Sequence, residues 1–129
     1  MTHLVPNLLA IALGGALGAL ARYGVANAFG ALLGRAFPWG TLAVNVAGSA
    51  AMGVLFVLVV GNEAVRREWE SVATVGFLGA FTTFSTFSLE TVLLLQGGRA
   101  GAALAYAGAS VGACVAGCAA GMRLARLFA

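Results

Sequence analysis

The residues best equipped for chemistry in this chain fall in one run, Gly76-Phe77-Leu78-Gly79-Ala80-Phe81-Thr82-Thr83-Phe84-Ser85-Thr86-Phe87-Ser88-Leu89-Glu90. Its hydroxyls donate and accept hydrogen bonds, and Glu90 can carry charge. Phe84 and Phe87 are three apart and share a face of any helix they occupy. A phenylalanine ring has a negative face and a positive edge. A pair of rings turned edge-on therefore attracts a small anion without offering it a charge, which suits an ion that must leave as readily as it enters. Ordinary packing between helices is the competing reading of the pair. The chemistry on offer is binding and passage rather than bond making. No Ser/His/Asp or Cys/His set accompanies these residues, and the single histidine, His3, stands alone near the terminus.

The same run contains reasons for a helix to stop. Gly76 and Gly79 each weaken a helix by about 1 kcal/mol relative to alanine, and the hydroxyls from Thr82 to Thr86 compete with the helical ladder for backbone groups. A break near Gly79 to Thr83 is expected. Broken membrane helices line cavities, where their freed carbonyls can bind cations. Beyond the break, Thr83, Thr86 and Glu90 are stacked near helical spacing and are expected to form a wet flank.

Other polar residues repeat this theme. Asn45 has Thr41 and Ser49 one turn to either side, and its amide donates two hydrogen bonds. It serves either a pathway or a bond between helices. Tyr106 and Ser110 share a face at i,i+4. Arg22 either supplies positive charge at the mouth of a path or snorkels to the interface. Glu90 is either the partner of an arginine or a gate in a vestibule. Cys114 and Cys118, also at i,i+4, read as small buried thiols. A disulfide between them would strain a helix, and the sequence offers no third or fourth metal ligand beside them.

Lipid is the solvent that positions these groups. Of the 129 residues, 61% are hydrophobic and only 9% charged, against about 25% charged in soluble domains. The mean hydropathy is +1.00. A helical span takes roughly 20 apolar residues to cross about 30 Å of hydrocarbon, so the length permits four spans in one all-α membrane domain and leaves no room for a soluble catalytic one. The segments are placed at about 4–33, 39–60, 71–96 and 100–127. Residues 34–38 connect the first pair, and Gly97-Gly98-Arg99 turns between the last pair. Residues 61–70 form the aqueous loop, where Trp69 is placed as an interfacial anchor. The N-terminal run is too long for a cleaved signal peptide and has no Lys or Arg before it. The net charge of +3 comes from arginine alone, which is too small a surplus for nucleic-acid binding. Glycines recur at spacing four in Gly14 and Gly18, Gly108 and Gly112, and Gly117 and Gly121, a spacing that lets membrane helices approach closely.

With four spans, the termini and the central loop share one side, which carries Arg66, Arg67, Arg123 and Arg126. The other side carries Arg35 and Arg99, or three arginines when Arg22 is counted. So weak a positive-inside bias barely selects an orientation. Either helix packing decides it, or the chain inserts both ways and opposed copies can pair as an antiparallel dimer.

Three motifs in order, Gly14-Gly15-Ala16-Leu17-Gly18-Ala19-Leu20-Ala21-Arg22-Tyr23, Trp39-Gly40-Thr41-Leu42-Ala43-Val44-Asn45 and the run from Gly76 to Glu90, resemble those of the Fluc (CrcB-type) fluoride channels. The resemblance spans all four segments, and its third motif is the most specific. It implies an antiparallel, dual-topology homodimer with two pores, exporting fluoride passively across the bacterial cytoplasmic (inner) membrane. By position it makes Phe84 and Phe87 the pore phenylalanines, Asn45 the pore asparagine and Ser110 the pore hydroxyl of the fourth span. Thr41, Tyr106 and Glu90 become a polar track toward one vestibule, and Arg22 its arginine. It also implies a structural sodium ion at the dimer centre, held by backbone carbonyls of Gly79 and Thr82 from both subunits. Ala80 and Phe81 stand where some members carry Gly and Leu, a side-chain difference that leaves carbonyl ligands in place.

Two other classes compete. A small multidrug-type, proton-coupled exporter is also a short four-span protein, but that class carries a carboxylate in its first span, where this chain has only Arg22. A non-transporting assembly subunit held together by its glycine faces would leave the polar stripes without a purpose.

Overall fold

The computed structural model of the chain describes residues 4–60 and 67–128. All regular structure among them is helical. Helix α1 covers Leu4–Leu33 and ends at Gly34, whose φ of +79° is open to glycine. Helix α2 covers Trp39–Leu55, entered from Pro38, and continues as a π-helix over Phe56–Val60. Helix α3 covers Arg67–Ser71 and passes into a π-helical stretch, Val72–Leu78, and then a single turn, α4, Gly79–Phe81. Helix α5 covers Phe84–Gln96, and α6 covers Ala100–Arg126 after a turn through Gly98 at φ +72°.

Among the described residues, four stretches are long and apolar enough to cross a membrane: Asn7–Leu33, Trp39–Val59, Trp69–Gln96 and Ala100–Arg126. The expected count and order of spans therefore stand, with the third span beginning slightly earlier than residue 71. The expected aqueous loop falls largely on residues 61–66, outside the described residues. Its last part is helical from Arg67 onward, with Trp69 exposed at the start of the span.

Two helix pairs make the scaffold. In the first, α1 lies on the π-helical stretch and α4. A Cβ on Gly18 would fall 2.2 Å from the Phe77 carbonyl oxygen, and one on Gly76 would fall 2.8 Å from that of Ile11. Backbone touches backbone here, so only glycine fits. In the second pair, α2 lies along α6 in the most extensive packing of the molecule. A Cβ on Gly121 would meet the Ala50 carbonyl oxygen at 2.2 Å, and one on Gly53 would meet that of Cys118 at 2.1 Å. Gly14, Gly18 and Gly121 thus act in close approach, whereas a Cβ on Gly117 would meet the Val46 carbonyl oxygen at an ordinary 3.4 Å. Gly108 and Gly112 do not act within the chain, since a Cβ on either would meet nothing within 4 Å. Their spacing is the same, but their face of α6 points away from α2.

Helix α5 leans on α6 through a small core of Leu94, Ala103 and Tyr106, with Phe37, Leu42 and Phe87 packed against it. Large apolar side chains such as Leu13, Leu20, Leu104 and Val115 stay exposed along the spans, as expected where lipid replaces water as the surrounding solvent.

Candidate functional site

The site is built around two residues that are not helical. Thr82 (φ −83°, ψ 158°) and Thr83 (φ −152°, ψ 118°) are extended between α4 and α5. Asn45 clasps the second of them from α2. Its Nδ2 donates to the Thr83 carbonyl at 3.0 Å, and the Thr83 N–H donates to Asn45 Oδ1 at 2.8 Å. The Thr83 side chain then caps α5: its Oγ1 accepts from the Thr86 N–H at 3.1 Å and donates to Thr86 Oγ1 at 3.0 Å. Thr82 bonds back instead, its Oγ1 donating to the Leu78 carbonyl at 3.0 Å. Gly48 makes the close approach of α2 feasible, because a Cβ there would lie 2.3 Å from Thr82 Cγ2.

These bonds redirect the helical ladder. In an uninterrupted helix the Thr83 N–H would serve the Gly79 carbonyl, and the Thr86 N–H would serve that of Thr82. The first goes to Asn45 and the second to Thr83 Oγ1. The carbonyls of Gly79 and Thr82 have lost their ladder donors, at the end of a helix where partial negative charge collects. Among the described residues, no three His, Cys, Asp or Glu side chains come together as metal ligands. A cation at this position would rely on backbone oxygen.

A groove of about 520 Å³ runs beside the interruption. Asn45, Gly79, Thr82, Thr83, Phe84, Phe87 and Ser110 all line it. Phe84 is 78% exposed in the single chain. Its ring lies 5.4 Å from that of Phe87, tilted by 45°. Phe87 in turn lies 5.2 Å from Tyr106, which meets Phe37 edge-on at 5.5 Å. Ser110 is only 6% exposed, and its hydroxyl has no hydrogen-bond partner. Ser49 adds one more hydroxyl to the groove wall, which is otherwise of low polarity, with no charged side chain among its lining residues.

Glu90 lies further along α5, at a second depression of about 540 Å³ that it lines with Thr41, Tyr23, Asn27, Arg35 and Arg99. Thr41 donates to Glu90 Oε1 at 2.9 Å, and Tyr106 donates to Oε2 at 2.7 Å. Both donors are buried, at 5% and 0% exposure. Tyr106 lines neither depression but stands between residues of both, with its ring on Phe87 and its hydroxyl on Glu90. Arg99 Nη1 donates to the Ala36 carbonyl, which ties together the connectors after α1 and after α5. Arg35 and Arg99 thus share one end of the molecule, as the four-span arithmetic requires.

The structure brings together Asn45, Ser49, Gly79, Thr82, Thr83, Phe84, Phe87 and Ser110 in the first groove, and Thr41 and Glu90 in the second depression. Thr86 is absorbed in the cap of α5, and Arg22 is half-buried and lines neither depression. The partners of Glu90 are neutral hydroxyls. Sequence reasoning missed the Asn45 clasp and the groove positions of Met52, Cys114 and Cys118. The cysteines were within reach, since Tyr106, Ser110, Cys114 and Cys118 follow one another at intervals of four. No local signal announces the clasp.

The family model described as "CrcB-like protein, Camphor Resistance (CrcB)" matches residues 9–122, most of the chain. The chain belongs to the CrcB family. Among its relatives, the "Fluoride-specific ion channel FluC" of Magnetococcus marinus is 52% identical over 117 residues, covering 91% of this chain and 95% of the relative. The protein of the same description from Hahella chejuensis is 49% identical over 123 residues, covering 95% and 97%. That from Chelativorans sp. is 48% identical over 120 residues, covering 93% and 96%. CrcB-family membership and the four apolar helices together make this a multi-pass membrane protein.

Proposed function

We propose that the chain is a fluoride-selective channel that exports fluoride passively across the bacterial cytoplasmic membrane. The observation that carries this reading is the Ser110 hydroxyl, buried without a partner on the wall that Phe84, Phe87 and Asn45 also line. Leaving such a group unsatisfied costs about 1–3 kcal/mol, a cost that a passing ligand relieves. Fluoride, small and strongly hydrogen-bond accepting, needs donors to replace its water. Ser110, the second Nδ2 hydrogen of Asn45 and the ring edges are neutral and dispersed, so they compensate dehydration without trapping the ion. The names of the relatives point the same way. The exporter reading lacks its carboxylate, since α1 carries no Asp or Glu.

The assembly belongs to the same reading. The groove is open along one side and Phe84 projects from it, so a single chain does not enclose a pore. Two antiparallel copies with dual topology would close two pores and set their interruptions face to face. The carbonyls of Gly79 and Thr82 from both copies would hold a sodium ion, whose charge offsets the facing carbonyl dipoles. Thr41, Tyr106 and Glu90 would carry the path on to the vestibule, with Arg22 near its mouth.

Ser110→Ala tests the carrying observation. Stability is expected to hold or rise by about 1 kcal/mol, because an unsatisfied buried group is removed, while fluoride efflux falls about tenfold, the effect of about 1.4 kcal/mol at the barrier. Lost stability with unchanged efflux would make Ser110 a packing residue. For topology, a cysteine at Phe128 in a chain lacking Cys114 and Cys118 is expected to label about halfway with an impermeant reagent applied from one side, given the weak charge bias. Complete or absent labelling contradicts dual insertion.

A further inference from the structure

We propose that the far end of the groove is a binding site for one soft monovalent metal ion of the Cu(I) and Ag(I) class, held by the sulfur atoms of Cys114, Cys118 and Met52. All three residues line the same groove as Ser110 and Phe84. Both cysteines are free and half-buried. They extend the stripe of Tyr106 and Ser110 by two further turns of α6, and side chains four apart on a helix stand about 5–6 Å apart at Cβ. Met52 comes from the facing helix at a matching level. Its neighbour Gly53 lies against the backbone of Cys118, where an added Cβ would fall 2.1 Å from the carbonyl oxygen. The sequence offers only the two thiols, and the fold adds the thioether. Met122, a turn beyond Cys118, does not line the groove.

The surroundings decide which ion fits. No carboxylate or imidazole lines the groove, so nothing on its wall offsets the charge of a hard divalent cation. Thiolate and thioether sulfur select soft ions. In a wall of low polarity the favourable complex is the neutral one. One thiol gives its proton to water and forms a metal–sulfur bond, and the monovalent ion cancels the thiolate charge. The second thiol and Met52 then act as neutral donors. The proton released makes binding pH-dependent. An ion bound here lies on the pathway wall one turn beyond Ser110 and obstructs passage. The expected block rests on the fluoride-channel reading, whereas the binding itself does not.

Silver in chloride-free nitrate buffer is the probe, applied to the full-length purified protein. The chain is expected to retain about one Ag⁺ through desalting and to release about one proton per ion bound. Bound silver is also expected to shield both thiols from maleimide. The double variant Cys114→Ser, Cys118→Ser is expected to lose this binding, and Met52→Leu, which keeps both thiols, to weaken it at least about tenfold. In liposomes, silver is expected to block fluoride efflux through the unaltered chain but not through the double variant, each measured against its own silver-free rate. Failure of the unaltered chain to retain silver, equal retention by the double variant, or unchanged affinity in Met52→Leu overturns the site. Binding as described, in a protein that passes no fluoride, upholds the site and removes the channel reading instead.

Discussion

Replacing Phe84 and Phe87 together by isoleucine is expected to reduce fluoride efflux about 100-fold while the protein remains folded and assembled. Isoleucine keeps the groove apolar and removes only the aromatic edge. A desolvated cation over the ring face gains up to about 2 kcal/mol from the ring quadrupole, and the positive ring edge is expected to attract a desolvated anion on the same scale, about 1–2 kcal/mol. Losing two such contacts raises the barrier by about 2.7 kcal/mol, or two powers of ten. The structural penalty is unequal between the sites. Phe84 is 78% exposed in the single chain, so its replacement disturbs little packing within it. Phe87 packs on Tyr106 at 5.2 Å, and its replacement is expected to lower stability by about 1–2 kcal/mol. Efflux followed with a fluoride electrode, beside size-exclusion chromatography, separates the two effects. Undiminished efflux in the double variant would remove the ring edges from the mechanism.

Asn45→Ala is expected to be the most damaging single change. It deletes both bonds of the clasp, leaving the Thr83 N–H and carbonyl without their partners in a poorly hydrated setting. Each unsatisfied group costs about 1–3 kcal/mol, so a stability loss of about 2–6 kcal/mol is expected. The free Thr83 N–H would also be available to the Gly79 carbonyl again, favouring a continuous helix over the extended pair. That change withdraws a carbonyl from the proposed sodium site. The unaltered protein is therefore expected to resist thermal unfolding better in sodium than in a large organic cation, and Asn45→Ala to lose this difference. Asn45→Asp keeps the acceptor for the Thr83 N–H but sets a carboxylate oxygen against the Thr83 carbonyl, so it is expected to fall between the two. A variant with normal stability and normal efflux would reduce the clasp to an incidental contact.

Particular residues explain what the sequence made readable. The four spans follow from hydropathy, which is a local property summed over a window, and Pro38 and Gly98 mark two of the connections. The polar groups of the groove were readable because hydroxyls and an amide stand out against an apolar background. The pairing of Asn45 with Thr83 was not, because it joins residues 38 apart and neither carries a local sign of its partner. The π-helical stretches escaped for a different reason. A wider turn over Val72–Leu78 leaves no distinct period in seven residues, and its close contact with α1 at Gly18 and Gly76 appears only once the two helices meet. Gly108 and Gly112 teach the converse lesson. Spacing four licenses close approach but does not say which face of α6 will meet a helix.

On the proposed channel reading, the groove and the second depression would make one path if the ion moves between them past Tyr106, whose ring touches Phe87 and whose hydroxyl holds Glu90. The carboxylate on that route is satisfied by Thr41 and Tyr106, which lowers its appetite for a cation and tempers its repulsion of an anion. On the channel reading proposed above, Arg35 and Arg99 at the second depression would add positive potential near the mouth, where it would concentrate anions before they enter.

The most direct test is anion efflux from liposomes containing only the purified chain, with fluoride and chloride compared under the same potassium gradient and ionophore. Rapid, passive fluoride efflux with chloride retained is the expected result. Equal efflux of both anions, or fluoride retained as in protein-free vesicles, would contradict a fluoride-selective pathway along the Phe84, Phe87 and Ser110 wall.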